Sequence, residues 1–479
     1  MLIDGELRQS VSGTWFENIS PVDETVLGVT ANGGAADVEL AIAAARRAFD
    51  QTDWSTNTAF RIHCLRQLAE ALESNRAELG ALLTAEGGVP VSLLDMMQVG
   101  PALSSPKWLA DFLATYEFER HMPSRVALGA PTAPVVRKEA IGVVAAITAW
   151  NFPLFLNMGK IAPALAAGCT VILKPAPDTP WSATALGRIV HEQTDIPPGV
   201  FNVLTSSDAA VGEALTKDPR VDAISFTGST ATGRAIGANA SKTVKRTLLE
   251  LGGKSASIVL PDANFGLAIG WTSGGICTHA GQGCALSSRL LLPRSRYEEG
   301  IAMAAAVMGS IVVGDPKDPA TLIGPVINAR QRDRVLAYIE DGKRTSRLIV
   351  GGGPVEQFSK GYFVNPTLFA DVDPDATIAQ EEIFGPVLSV IPYDDVDHAV
   401  QISNNSTYGL SGAVFGTDVE AALSVARRIR TGSVSVNGAA FLDNDLPYGG
   451  YRQSGTGRER GVEGFEDYLE TKTIGVPTS

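Results

Sequence analysis

The pattern of apolar and polar residues divides the chain into a helical first part and a longer part of alternating strands and helices. Between residues 35 and 86, apolar residues recur at the spacing of an α-helix. From residue 142 to about residue 435, continuous apolar runs alternate with helical segments, and Val143–Ile147 is the first of these runs. Such runs are typical of strands buried on both faces of a parallel sheet, so the pattern predicts an α/β fold.

Two regions depart from this alternation. Residues 1–30 read as short antiparallel strands, and residues 121–141 lack a helical period and contain three prolines. Residues 468–474 alternate like a strand at the end of the chain. Because a strand that leaves the body of a protein can pair with the edge of another subunit, the sequence predicts a β arm that joins subunits.

Composition and charge exclude several classes of function. The hydrophobic fraction of 45% and charged fraction of 19% are ordinary for a soluble enzyme. The net charge of −13, without any basic run, argues against a nucleic-acid partner. With 479 residues, the chain is too long for a single hydrophobic core, so we expect two or three domains.

The start of the chain and the cysteines indicate the compartment. The first residues show no secretory signal, and the longest mostly apolar run, residues 301–313, is shorter than the roughly 20 residues of a membrane span. The four cysteines show neither a disulfide framework nor the paired spacing of a zinc site. We therefore expect a reduced, cytoplasmic protein without a metal and without a membrane partner.

Cys284 and Glu250 form the most informative pair of residues. Cys284 lies in a glycine-padded loop, and Glu250 precedes it by 34 positions (284 − 250), at a predicted strand end. A soft nucleophile and a base can form a thioester and then hydrolyse it. The structural alternative is a buried core thiol and a carboxylate in an ion pair.

Polar and glycine residues follow several of the predicted strands, at the edge where parallel sheets bind ligands. Asn151 follows the first strand and could donate a hydrogen bond or cap the next helix, and Lys174 ends the second strand, either as a ligand contact or as a solvated lysine. The segment from Gly228 to Gly233 opens a helix, where free N–H groups attract a pyrophosphate. Its G-x-x-x-x-G spacing matches neither a P-loop nor a G-x-G-x-x-G fingerprint.

Taken together, these motifs resemble the aldehyde dehydrogenase superfamily. The resemblance runs from end to end and rests on residues 150–153, 174–175, 226–229, 250–254, 281–284, 382–386, 435–437 and 447–455. It implies a Rossmann-like cofactor domain (1–120 and 142–252), an α/β catalytic domain (253–452) and a small β oligomerisation arm (121–141 and 463–479). It also implies a homodimer or a homotetramer.

The resemblance implies a mechanism of aldehyde oxidation. Cys284 would attack the aldehyde, the Asn151 amide and the Cys284 N–H would hold the oxyanion, and hydride transfer to the nicotinamide would leave a thioester. Glu250 would activate the water that hydrolyses it, which distinguishes this chain from the CoA-acylating branch. We also expect Lys160 to be one of the catalytic residues.

The resemblance also implies the cofactor site. The residues implied are Trp150, Lys174, Gly228, Ser229, Thr230, Ala231, Thr232, Gly233, Leu251, Glu382 and Phe384. Pro177 departs from the family, because NAD-preferring relatives often have a glutamate there that repels a 2′-phosphate. We therefore expect NAD as the cofactor, with NADP possible.

The residues that match the family's substrate tunnel are mostly apolar: Phe155, Met158, Trp271, Phe441, Leu442 and Tyr448. No arginine or lysine stands out among them, so an aliphatic, terpenoid or aromatic aldehyde is expected. Asp443 and Asp445 lie in the same loop and could contact a cationic aminoaldehyde, so an aminoaldehyde is one alternative substrate and a semialdehyde is another.

Two further alternatives concern the active site itself. A non-catalytic NAD-binding homologue would be expected to lack Cys284, Glu250 or Asn151, and all three are present. His279 stands where relatives commonly have another polar residue. It would either line the active site or, as a hydrogen-bonded histidine, stabilise the loop that carries the cysteine.

Overall fold

The computed structural model describes residues 1–478 as an α/β protein built around two large sheets. The strands are β1 (Leu2–Ile3), β2 (Glu6–Leu7), β3 (Trp15–Ile19), β4 (Val26–Ala31), β5 (Glu119–His121), β6 (Arg125–Ala127), β7 (Ala130–Thr132), β8 (Val135–Ala140), β9 (Val143–Ile147), β10 (Thr170–Lys174), β11 (Phe201–Val203), β12 (Ala223–Thr227), β13 (Arg246–Glu250), β14 (Ser255–Val259), β15 (Ser287–Pro293), β16 (Arg347–Val350), β17 (Thr367–Ala370), β18 (Val387–Tyr393), β19 (Ser411–Phe415), β20 (Ser433–Val436), β21 (Gly455–Thr456) and β22 (Leu469–Ile474).

The α-helices connect and cover these strands. They are α1 (Ala35–Gln51), α2 (Thr58–Ser74), α3 (Arg76–Gly87), α4 (Gly100–Leu113), α5 (Pro153–Ala167), α6 (Trp181–Gln193), α7 (Ala209–Lys217), α8 (Thr230–Ala240), α9 (Phe265–Gly275), α10 (Tyr297–Ser310), α11 (Ala329–Thr345), α12 (Thr377–Gln380), α13 (Val396–Asn404), α14 (Val419–Ala426) and α15 (Gly461–Glu466). The predicted helical region of residues 35–86 thus consists of α1, α2 and α3.

The first sheet has eight strands in the order β2-β1-β11-β10-β9-β12-β13-β21. Strands β9 to β13 are parallel, and antiparallel strands flank them at both edges. The chain proceeds outward from β9 through β10 to β11 and then returns to the other side of β9 with β12. Such a reversal of strand order opens a crevice at the carboxyl ends of the strands, where ligands bind in open α/β sheets.

The second sheet has seven strands in the order β16-β17-β18-β15-β14-β19-β20. All its neighbours are parallel except β16 and β17. Both sheets therefore bear out the predicted, largely parallel α/β architecture. The loop between α9 and β15, which contains Cys284, approaches the crevice of the first sheet.

A small third sheet lies outside these two, with the order β22-β8-β5. Strand β22 pairs antiparallel with β8 of the same chain, from Leu469 opposite Ala140 to Ile474 opposite Val135. Residues 470–474 are exposed. Within residues 1–478, no helix is both long enough and apolar enough to cross a membrane.

Candidate active site

A cavity of about 540 Å³ lies where the carboxyl ends of the first sheet meet the second sheet. Asn151 and Glu250 reach it from the ends of β9 and β13, and Cys284 reaches it from the loop before β15. The structure therefore brings together three residues that are 99 and 34 positions apart in the chain (250 − 151 and 284 − 250). Its walls are mostly aromatic and aliphatic side chains.

A strained turn fixes the position of Cys284. His279 and Ala280 have left-handed backbone angles (φ 49° and 54°), followed by Gly281 at φ 73°. A Cβ atom on Gly281 would lie 2.1 Å from the carbonyl of Gly385, so only glycine fits there. The buried side chain of Gln282 then accepts a hydrogen bond from the Ile327 N–H (2.9 Å), which ties the turn to the segment between α10 and α11.

The environment of the Cys284 thiol favours its neutral form in the absence of ligands. Burial is the main cause that raises the pKa of the thiol to about 12, and nearby carboxylates, Glu250 among them, add to it. The Tyr448 hydroxyl lies 3.4 Å from the sulfur and acts in the opposite direction. A hydrogen bond to the thiolate favours the charged form.

Asn151 is held beside the cysteine loop. Its side-chain N–H donates to the carbonyl of Gln282 at 2.8 Å, and the side chain is buried. An amide carries two N–H donors, so a second donor remains. Its attachment to the residue two positions before Cys284 holds the side chain beside the cysteine loop, and Asn151 and Cys284 line the same cavity, as an oxyanion site requires.

Glu250 ends β13 and lies buried in the same cavity. Among residues 1–478, neither of its carboxylate oxygens has a hydrogen-bond partner. Burial, and next to it the charge of Glu459, raises its pKa well above the ordinary value for a glutamate. A carboxylate whose pKa is raised by its surroundings is a stronger base than an exposed one, which suits the role of a general base.

Lys160 and Glu459 form a buried ion pair behind Glu250. Lys160 comes from the apolar helix α5, and its ammonium also donates to the Ser225 hydroxyl at 3.3 Å. Glu459 exchanges two main-chain hydrogen bonds of 2.7 Å with Tyr448, so the pair is rigidly linked to the thiol's neighbour. Sequence reasoning missed Glu459, although a lysine inside an apolar helix is itself a signal of a buried acidic partner.

Five of the six residues predicted for the substrate tunnel line the cavity: Phe155, Trp271, Phe441, Leu442 and Tyr448. Met158 does not line the cavity, because it is buried in the hydrophobic core around the first sheet. Helix α5 is apolar on every side, so its sequence does not reveal which face meets the cavity. Only its first turns, with Phe155 and Leu156, reach the cavity.

One arginine that the sequence did not single out, Arg460, lines the cavity. Its guanidinium lies 4.3 Å from the centre of the Phe155 ring and donates to the Asn444 side-chain oxygen at 3.0 Å. Asp443 lines the same cavity, whereas Asp445 does not.

His279 does not line the cavity and packs behind it. Its ring lies 5.3 Å from the ring of Phe152, which does line the cavity. Within residues 1–478, neither ring nitrogen has a hydrogen-bond partner, so the expected hydrogen-bonded histidine is not observed. Burial lowers its pKa to about 4, and it packs as a neutral aromatic ring.

The residues implied for the cofactor lie on the other side of Cys284, at the crevice of the first sheet. Ser229 caps α8 by accepting a hydrogen bond from the Thr232 N–H at 3.2 Å. A Cβ atom on Gly233 would lie 2.6 Å from the Leu251 side chain, so this glycine lets α8 pack closely on the strand. Lys174 is buried at the end of β10, and burial lowers the pKa of its ammonium to about 8.

Glu382, Phe384 and Trp150 complete this side of the crevice. The half-buried Glu382 carboxylate accepts the N–H of Gly253 at 2.9 Å, and a Cβ atom on Gly252 would lie 2.3 Å from it. Phe384, at φ 61°, meets the Trp150 ring edge-on at 5.4 Å. A helix N-terminus, a lysine and a carboxylate spread along one crevice fit the pyrophosphate and the two riboses of a dinucleotide.

Known proteins resemble this chain over its whole length. Residues 7–474 match the model of the Aldehyde dehydrogenase family. The 3-succinoylsemialdehyde-pyridine dehydrogenase of Pseudomonas sp is 43% identical over 475 residues, which cover 98% of this chain and 97% of that protein.

Solved structures agree with the fold. A mutant of aldehyde dehydrogenase C from Pseudomonas syringae, complexed with NAD⁺ and octanal, is 42% identical with a TM-score of 0.93, covering 99% of this chain and 96% of that one. The Mycobacterium tuberculosis aldehyde dehydrogenase complexed with NAD⁺ is 40% identical with a TM-score of 0.95, and the match covers 99% of this chain and 97% of that one. The fold predicted from the sequence is thereby confirmed.

Proposed function

This chain belongs to the aldehyde dehydrogenase family, and on that premise we propose that it oxidises an aldehyde to the free acid with NAD, through a thioester on Cys284. The observation that carries the proposal is the meeting of Cys284, Asn151 and Glu250 in one cavity beside a crevice that fits a dinucleotide. An acyl-transfer site needs a nucleophile, an oxyanion donor and a base within reach of one reacting atom.

The first step is the attack of the Cys284 sulfur on the aldehyde carbon. The Tyr448 hydroxyl stabilises the thiolate, and the free N–H of Asn151 together with the Cys284 N–H receives the oxyanion. Loss of one such donor costs about 3–4 kcal/mol of transition-state stabilisation.

The cofactor would be held by Lys174, Glu382 and the N-terminus of α8. When bound, NAD supplies the acceptor for the hydride that leaves the aldehyde carbon. The proposed preference for NAD rests on the NAD⁺ in the solved relatives. Pro177 lacks the carboxylate that would repel a 2′-phosphate, so we propose that NADP is also accepted.

The last step is the hydrolysis of the thioester. Glu250 takes a proton from water, whose oxygen attacks the thioester carbon; the C–S bond breaks, Cys284 leaves as the thiolate, and the acid is released. The buried ion pair of Lys160 and Glu459 sets the charge around Glu250, because Glu459 raises and Lys160 lowers its pKa. We propose that Lys160 contributes to catalysis through this effect on the pKa of Glu250.

The substrate is proposed to be a mainly apolar aldehyde of considerable length. The cavity has aromatic walls, and the relatives named above include one that binds octanal and one named for a pyridine-bearing semialdehyde. Arg460 in the cavity counts against a cationic aminoaldehyde, since two like charges would meet at low dielectric. We also propose a homodimer or a homotetramer, joined through the exposed strand β22.

The test is the formation of NADH by the purified protein with a panel of aliphatic, aromatic, terpenoid, amino and carboxylated aldehydes, with and without CoA. The proposal expects NADH and free acid without CoA, from members with a long apolar chain or ring next to the aldehyde group. If no aldehyde yields NADH or NADPH, the proposal fails. If product release requires CoA, the hydrolytic role of Glu250 fails.

A further inference from the structure

The guanidinium of Arg460 lies in the wall of the substrate cavity with most of its donors unused. An arginine has five N–H donors, and within residues 1–478 the side chain makes one hydrogen bond, to Asn444. No carboxylate in this part of the chain forms an ion pair with it. The adjacent Glu459 is paired with Lys160 instead.

The backbone holds Arg460 in this position at a cost. Its φ of 62° lies in the left-handed region, which a side chain such as arginine rarely adopts. The next residue, Gly461, donates its N–H to the Asn444 carbonyl at 2.9 Å, so backbone and side chain are both fastened to Asn444. Strain that the surrounding structure maintains is found preferentially at ligand sites.

The surroundings of the guanidinium are apolar on one face and weakly charged on the other. Phe155 supports its flat face, which leaves the edge with the remaining donors free. The charged and titratable groups around it are Asp443, Tyr448 and Glu459 of the same cavity, and burial lowers its pKa. The donors that reach the cavity without a protein acceptor are available to an oxygen atom of a bound molecule.

We propose that Arg460 recognises an oxygen acceptor, either a carbonyl or a carboxylate, at the end of the substrate that is remote from the aldehyde. Phe155 would pack against the apolar chain or ring between the two ends. The inference rests on the proposed function and narrows it, from apolar aldehydes in general to aldehydes with one distal oxygen group.

The experiment compares matched aldehydes with the wild-type enzyme and with Arg460→Met, which keeps an unbranched apolar stem and removes the guanidinium and its charge. For a series of chain lengths, kcat/KM is measured for the n-alkanal, for the same chain with a distal ketone, and for the same chain with a terminal carboxylate. A hydrogen bond to a charged group contributes about 1.5–3 kcal/mol. Arg460→Met should therefore lower kcat/KM about 10- to 100-fold for an oxygen-bearing series and hardly at all for the alkanals.

Arg296→Met is the matched control. Arg296 also stacks on a phenylalanine, Phe265, at 3.5 Å, but it lies outside the cavity. This variant should not change the preference among the three series. Whether the ketone or the carboxylate series responds to Arg460→Met identifies the acceptor.

Three results separate the inference from the proposed function. An equal loss for all series, or no loss for the oxygen-bearing ones, overturns the role of Arg460 while the oxidation of alkanals stands. If Arg460→Met does not fold, the wild-type enzyme decides, since it must prefer an oxygen-bearing series over the alkanals by about tenfold. A wild-type enzyme that oxidises none of the three refutes the proposed function itself.

Discussion

Replacement of Tyr448 by phenylalanine removes a single atom from the active site, the hydroxyl oxygen that lies 3.4 Å from the Cys284 sulfur. The ring keeps its place, because Tyr448 is buried and its backbone is bonded twice to Glu459. The pKa of the hydroxyl itself is raised well above its ordinary value by burial, so it remains a donor at any working pH. We expect Tyr448→Phe to destabilise the thiolate form of Cys284.

The size of the effect follows from the hydrogen bond that is lost. A bond to a charged group contributes about 1.5–3 kcal/mol, and one pKa unit corresponds to about 1.4 kcal/mol. The pKa of Cys284 should therefore rise by about one to two units. Below the pKa, the thiolate fraction falls tenfold for each unit, so the thiol should react about 10- to 100-fold more slowly at a fixed pH.

The assay is the alkylation of Cys284 by iodoacetamide at a fixed pH near neutrality, in the absence of cofactor. The Cys284→Ala variant provides the background from Cys64, Cys169 and Cys277, all of them buried. Tyr451→Phe is the matched control, because this half-exposed tyrosine lies outside the cavity. Equal alkylation rates for Tyr448→Phe and wild type would refute the reasoning, and so would the same slowing in Tyr451→Phe.

Three further predictions concern the surroundings of this thiol. Lys160→Met should lower the free energy of unfolding by about 3–5 kcal/mol, because it leaves Glu459 buried without its partner; urea denaturation measures this, and an unchanged midpoint would contradict it. Because burial raises the pKa of Glu250, hydrolysis of an acyl-enzyme made with p-nitrophenyl acetate should speed up as the pH rises and the base form appears, so a pH-independent rate would count against Glu250. Gly252→Ala should raise the KM for NAD with little change in the thermal midpoint, because the added Cβ would lie 2.3 Å from the Glu382 carboxylate and would force it to move; an unchanged KM would argue against the role of Glu382.

The sequence was sufficient for those parts of the site that follow directly after a strand or lie in a glycine-rich loop. Asn151 follows an apolar run typical of a buried strand, Glu250 stands at a predicted strand end, and Cys284 lies among glycines that a tight turn requires. The strand order could not be derived in the same way, because β21 returns about 200 residues after β13 and pairs with it over two residues only.

Two residues of the site that sequence reasoning missed, Glu459 and Arg460, depend on the return of β21 to the first sheet. Glu459 and Arg460 follow β21 and reach the site only because Gly455 pairs with Glu250. In the sequence they belong to a run of charged residues that reads as a solvated surface. Met158 was misplaced for the opposite reason, since a helix that is buried all around gives no periodic signal of which face meets a ligand.

The most direct test of the account is the fate of the acyl group in Glu250→Gln. Mixed with NAD and an apolar aldehyde, this variant should release about one NADH per site in a rapid burst and then turn over about 10²- to 10⁴-fold more slowly than wild type. Mass spectrometry should find the acyl group on the peptide that contains Cys284. Steady turnover near the wild-type rate, or the absence of any adduct on that peptide, would contradict the thioester and the role of Glu250 in its hydrolysis.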